Sequence, residues 1–311
     1  MIKNILFTIS IIISANINAQ ENQSLSIEDS IMLLENELLY RKENLNITQL
    51  DSKSITNLYD VKKSMIFNTK FSSLPLKVIF DKDLNNINLS QSQIEYFNKN
   101  SRQNSFLPPN IIYLSVAHNK SFSYSFYQND FYKEPLKSNT QQILLFHEMA
   151  HFFISENINI EDYYDSKQRS GYKFKTYVDE SYADLFSIVF LTKIKNINKV
   201  DIEMFFNGLR LYREQYKHFL YVSRYSLKFF TSYYIENYEK LSLMDDKELA
   251  THIYDINKKI LSYNYNNLLL TIDPELIKDK SIISITDFFN ILSENNKEVL
   301  LDYDHIKDIF S

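Results

Sequence analysis

Two histidines four residues apart, with a glutamate directly behind the first, stand in the apolar stretch LLFHEMAHFF (144–153). On a helix, positions i and i+4 lie one above the other. His147 and His151 therefore direct two imidazoles at one point in space. Zinc accepts imidazole nitrogen at about 2.0–2.1 Å, so such a pair is a two-toothed clamp for it. Glu148 lies one step round the helix. From there its carboxylate reaches a water beside the metal and takes its proton, with the metal lowering the pKa of that water. The plain alternative is a core helix carrying satisfied polar residues, and the rest of the chain has to decide.

A catalytic zinc needs a third protein ligand and an open fourth position. The segment VDESYADLF (178–186) offers one in Glu180, on the next predicted helix after one polar loop. Asp184 lies four residues on, hence on the same face, and suits the acceptor of the ring proton that His147 does not use for metal. Ala183 leaves room where two helices approach. Glu156 is the weaker third ligand, since it must fold back from the helix end. His118, His252 and His305 have no acidic partner at ligand spacing and read as surface or hairpin residues.

HEMAH followed by ESYAD resembles the gluzincin group of zinc metallopeptidases, over Gln142–Phe153 and Val178–Phe186. The resemblance implies zinc held by His147, His151 and Glu180, with Glu148 as general base and Asp184 behind a ligand. It also implies an edge strand before the metal helix, where an extended peptide adds to the sheet. Ile111–Ala117 and Phe122–Tyr127 are the candidates, each equally readable as plain sheet core. The metzincin pattern is excluded, because it wants glycine at 154 and histidine at 157, where this chain has Ile154 and Asn157. In similar enzymes a Tyr, His or Arg from a later helix stabilises the oxyanion. The segment LRLYREQYKHFLYVSRY (209–225) offers Arg210, Arg213, His218, Tyr221 and Arg224, of which His218 with Tyr221 or Arg224 is the most attractive set.

Composition narrows the chemistry further. Cysteine is absent, which removes disulfides, thiol catalysis and thiolate ligands together and leaves any metal to His and carboxylate. Only two glycines occur, Gly171 and Gly208, too few for a phosphate-binding loop or dinucleotide fingerprint. The net charge of −5 and the lack of a long basic run argue against nucleic acid as a partner. Residues 1–19 have Lys3 near the start, an apolar run from Ile5 to Ile13 and small residues up to Ala19. That is the layout of a secretory signal peptide, cut after Ala19 or, failing that, Ala15. The run is too short to span a bilayer, so the mature protein is expected to be soluble, secreted or periplasmic, with no stable membrane insertion.

These residues need elements to carry them. The patterns predict a helix over Ser26–Asn44, strands at Leu74–Phe80, Ile111–Ala117 and Phe122–Tyr127, and a polar connection over 87–109. The link HNKS makes the last two strands a hairpin. A helix follows from Ser138, with Ser138 and Gln141 as a capping box, to about Ser155. Further helices are expected at Tyr177–Lys195 and at about 201–219, 220–240, 246–263 and 285–298. The fold class is α+β and predominantly helical. It is divided into a signal peptide (1–19), an N-terminal part with a short sheet (20–137), a metal-binding core (138–200) and an all-helical remainder (201–311). The expected function is zinc-dependent hydrolysis of a peptide or protein substrate. The alternative is a secreted binding protein whose metal site is structural or vestigial.

Overall fold

In the computed structural model, residues 47–61, 63–82, 91–99, 103–129, 132, 134–158, 169–214 and 223–271 are described. They belong to the unit Leu45–Ser311. The predicted helices at Ser26–Asn44 and 285–298 lie outside the described residues.

Five short strands form one mixed sheet: β1 Ile47–Gln49, β2 Met65–Asn68, β3 Leu76–Phe80, β4 Ser105–Leu107 and β5 Ile111–Leu114. Their order is β1-β2-β3-β5-β4. β3 and β5 run parallel, with Val78 opposite Ile112. β4 is antiparallel to β5, with Phe106 opposite Ile112, and forms one edge. Every residue of β3 and of β5 is buried, as central strands covered on both faces must be.

Helices fill the rest. α1 is Ser52–Val61, α2 Gln91–Lys99, α3 Val116–Tyr127, α4 Glu134–Lys137, α5 Thr140–Asn157 and α6 Arg169–Lys195. α7 is Lys199–Glu214, α8 Ser223–Glu236, α9 Tyr238–Leu243 and α10 Asp246–Thr271. The described part is mostly helical with a small mixed sheet, as the sequence predicts. α5 is apolar nearly all round and buried from Ile143 to Ala150, which makes it the central helix. It packs on the sheet through β4 and β5, on α3, and along α6. One face of the sheet shares a large core with the helices, and on the other Ile79, Ile111 and Tyr113 form a smaller cluster with Phe97 of α2.

Four predicted features are corrected. Phe122–Tyr127 is helix, the second half of α3, so no hairpin forms. Its Phe-Ser-Tyr-Ser-Phe alternation imitates a strand, but the buried positions are Asn119, Phe122, Ser123 and Phe126, a helical stripe. Ser115 starts that helix by accepting the His118 N–H on its hydroxyl at 3.3 Å. The connection over 87–109 contains α2 and β4. The Ser138–Gln141 capping box does not form: Asn139 is the N-cap of α5 and makes no side-chain cap bond. Ser138 is instead used to close α4, donating its N–H to Glu134 O at 2.9 Å and its hydroxyl to Pro135 O at 3.2 Å. α6 also begins earlier than Tyr177, at Arg169, and takes in Gly171.

The long helices are tied to one another at a few polar points. Tyr59 of α1 donates to Gln141 O at 2.7 Å, fixing the start of α5. At the end of α6, the Lys193 ammonium donates to Met244 O at 2.7 Å and pairs with Asp246 of α10 at 2.8 Å. Gly208 sits where α7 crosses α4, and a Cβ there would run into the Leu136 side chain. That close approach is a reason for glycine.

Candidate metal centre

The i, i+4 spacing on α5 places the rings of His147 and His151 with centroids 5.2 Å apart and nearly perpendicular planes, 78°. α6 brings Glu180 to them. Its carboxylate oxygens stand 3.4 Å from His147 Nε2 and 3.8 Å from His151 Nε2. The three residues could hold a metal ion, since one donor atom from each lies within 4.8 Å of the other two. Two imidazole nitrogens and one carboxylate oxygen are a donor set that divalent transition-metal ions share, zinc and iron among them.

Behind this group lies a second layer of charge. Asp184 is buried, and its Oδ1 is 3.0 Å from His147 Nδ1. With Nδ1–H given to the carboxylate, Nε2, which faces Glu180, is the nitrogen whose lone pair a metal takes when it displaces the second proton. Arg213 of α7 reaches Asp184 from the other side. Its Nε donates to Oδ2 at 2.7 Å and a terminal nitrogen to Oδ1 at 2.6 Å. This two-pronged bond satisfies a charge that burial would otherwise make costly.

The electrostatics follow from that packing. Burial disfavours the charge on Asp184, but Arg213 and the His147 hydrogen bond outweigh it and hold the carboxyl well below the usual range. Glu180 is also opposed by burial, and the His147 hydrogen bond with the charges of His151, His147 and Arg213 lowers it to about 2. For His147 burial acts downward, and the bonds and charges of Asp184 and Glu180 override it, raising the ring to about 10. A divalent cation and that proton compete for the same nitrogen.

Glu148 differs from its neighbours. It is buried and stands outside the three-ligand group. Burial pushes its carboxyl up to about 7, helped by the charge of Glu180 and resisted by His147, the Phe106 backbone N–H and Arg213. That N–H comes from β4, so the edge strand and the glutamate meet. Neither candidate edge strand holds this position: Ile111–Leu114 is internal, between β3 and β4, and Phe122–Tyr127 is helix. β4 is short and ends at Pro108-Pro109, which left it no periodic signal.

The other singled-out residues fall as follows. His218 and Tyr221 lie outside the described residues, as does His305, and nothing is described of the Arg224 side chain. Arg213, one of five candidates for anion stabilisation, is bound to Asp184. Glu156 accepts from Ser72 Oγ at 3.1 Å and takes no part in the three-ligand group. His252 pairs with the Tyr233 hydroxyl at 2.6 Å. His118 is not a hairpin residue. It is half-buried in the first turn of α3, where burial and then the charges of His147 and Arg213 lower its pKa.

The chain matches no family model, no curated protein and no solved structure. The site is therefore read from its own geometry. Among the described residues, no helix is long and apolar enough to cross a membrane.

Proposed function

We propose that this chain is a zinc-dependent hydrolase of peptide bonds, built on a zincin-like H-E-x-x-H helix. The observation that carries the reading is geometric: His147, His151 and Glu180 each bring one donor atom within 4.8 Å of the others, and Glu148 is buried on the helix of the two histidines, outside that trio. A structural site has no use for such a group and is normally closed by four protein ligands. A general base works best with a pKa near the operating pH, and burial pushes Glu148 upward from the ordinary carboxylate range.

His147, His151 and Glu180 would hold the zinc, and zinc bound there supplies Lewis acidity to a water and to the substrate carbonyl. Glu148 takes the proton of the attacking water and passes it to the leaving nitrogen. Asp184 keeps His147 in one tautomer and one orientation, and Arg213 balances the charge of Asp184. The outer edge of β4, beside α5, suits an extended peptide that adds by main-chain hydrogen bonds. The apolar segment at residues 5–13 supports export, to a secreted or periplasmic location.

Two measurements on the purified chain test the reading. Elemental analysis without chelators is expected to find about one zinc per chain. A mixed peptide library is expected to be cleaved, with cleavage abolished by chelator and in Glu148→Gln. Protein free of metal ends the proposal. Zinc-loaded protein that cleaves nothing favours the binding-protein reading.

A further inference from the structure

Glu180 must meet two imidazoles from another helix, so the rotation of α6 about its own axis has to be fixed. One residue of slip along a helix turns a side chain by about 100°. Apolar contacts do not fix that rotation well, because they are non-directional. Most of the contact between α6 and its neighbours is apolar, through Tyr182, Leu185, Phe186 and Val189.

Two sets of directional polar contacts flank the ligand: Asp184, four residues on, is bonded to His147 and Arg213, and a second set holds the turn that carries Glu180 itself. Asn257 of α10 is fully buried. Its Nδ2 donates to Val178 O at 2.9 Å. Its Oδ1 accepts from Ser181 Oγ at 3.1 Å. Val178 and Ser181 are also fully buried, and they flank Glu180 in the sequence. Asn257 thus grips α6 at a backbone carbonyl and at a side chain three residues on, which lie on one face of the helix. A single buried asparagine is known to set the register of packed helices in this way. The next turn is held by the same partner, with Tyr182 donating to Ala250 O at 3.2 Å and its ring edge-on to Tyr254 at 5.1 Å.

We propose that Asn257 is a positioning residue for the metal site: through Val178 and Ser181 it sets the rotation of α6 that brings Glu180 to His147 and His151. The assignment rests on the metal reading above. It adds a residue from the far C-terminal helix, which touches no ligand, to the parts the site requires.

The test is zinc affinity of the full chain, measured by competition with a chromophoric chelator. Asn257→Leu keeps the volume and lets Ser181 Oγ use Val178 O, already 3.2 Å away. It is expected to weaken zinc binding by up to about 10-fold, the lower end of the loss seen when a group bonded directly to a ligand is removed. In a Glu180→Ala background the same change is expected to have no further effect, because its action passes through Glu180. The cobalt(II) spectrum of Asn257→Leu is expected to move toward that of Glu180→Ala. Unchanged affinity in Asn257→Leu, or an equal loss with and without Glu180, overturns the assignment and leaves the metal site standing. Wild-type protein that takes up no zinc removes both. Should Asn257→Leu not fold, Ser181→Ala is measured against the same two outcomes.

Discussion

The helices α5 and α6 meet along two contrasting regions. One is aromatic. Phe152 and Phe153 of α5 and Phe186 and Phe190 of α6 gather round Phe71, all nearly inaccessible. Phe186 and Phe190 stack at 4.0 Å, and Phe71 stands edge-on to Phe186 at 6.0 Å. The other region is charged. There the same two helices contribute His147, Glu148, His151, Glu180 and Asp184, and α7 adds Arg213. The aromatic region buries area and sets how strongly the helices adhere. The charged region buries groups that are costly unless every partner is in place. One region supplies stability, and the other demands alignment.

Substitutions on either side separate the two. The largest effect is expected from Glu148→Gln: hydrolysis falls about 10²–10⁴-fold, the range for a general base, while zinc content and melting temperature stay at the wild-type level. Zinc analysis beside peptide turnover checks it. Next comes Phe186→Ala, which removes a buried ring and should cost about 3–5 kcal/mol of stability. Denaturant unfolding measures that cost, and the zinc affinity of the folded fraction should remain wild-type. A large loss of affinity here would erase the distinction between the regions. Third, zinc at 100 times its dissociation constant should stabilise the wild type by about 2.7 kcal/mol over chelated protein. Thermal scans of Glu180→Ala should show little of that gain. The smallest effect on the metal belongs to Asp184→Asn, where zinc affinity is expected to drop about 10–100-fold, while the buried Arg213 left without its carboxylate should cost about 3–5 kcal/mol of stability. Chelator competition reads it, and an unchanged affinity would mean that His147 needs no support from Asp184.

What could be read from sequence was what helices write locally. His147 and His151 are spaced i, i+4 on one helix, and Glu180 and Asp184 repeat that spacing on the next, so type and spacing alone brought them together. The mostly helical character was legible for the same reason. Contacts between distant segments left no such mark. Arg213 was one of five basic or aromatic candidates, and nothing near it in sequence pointed to Asp184. Asn257 looked like any polar residue on a long helix, because its partners Val178 and Ser181 belong to a different one. β4 was missed because Ser105–Leu107 is too short to show a period. α3 was misread because its serines and aromatics alternate, and only its burial separates a stripe at i, i+3, i+4 from a strand.

The Lys193 tie at the end of α6 acquires a further meaning beside the Asn257 contact. The two grips lie about four turns apart, on the order of 20 Å along the rod, and both run to α10. A rod pinned at two separated points can neither swivel nor slide. α6 and α10 are therefore coupled along most of the described length of α6, so that a shift of either helix carries Glu180 with it.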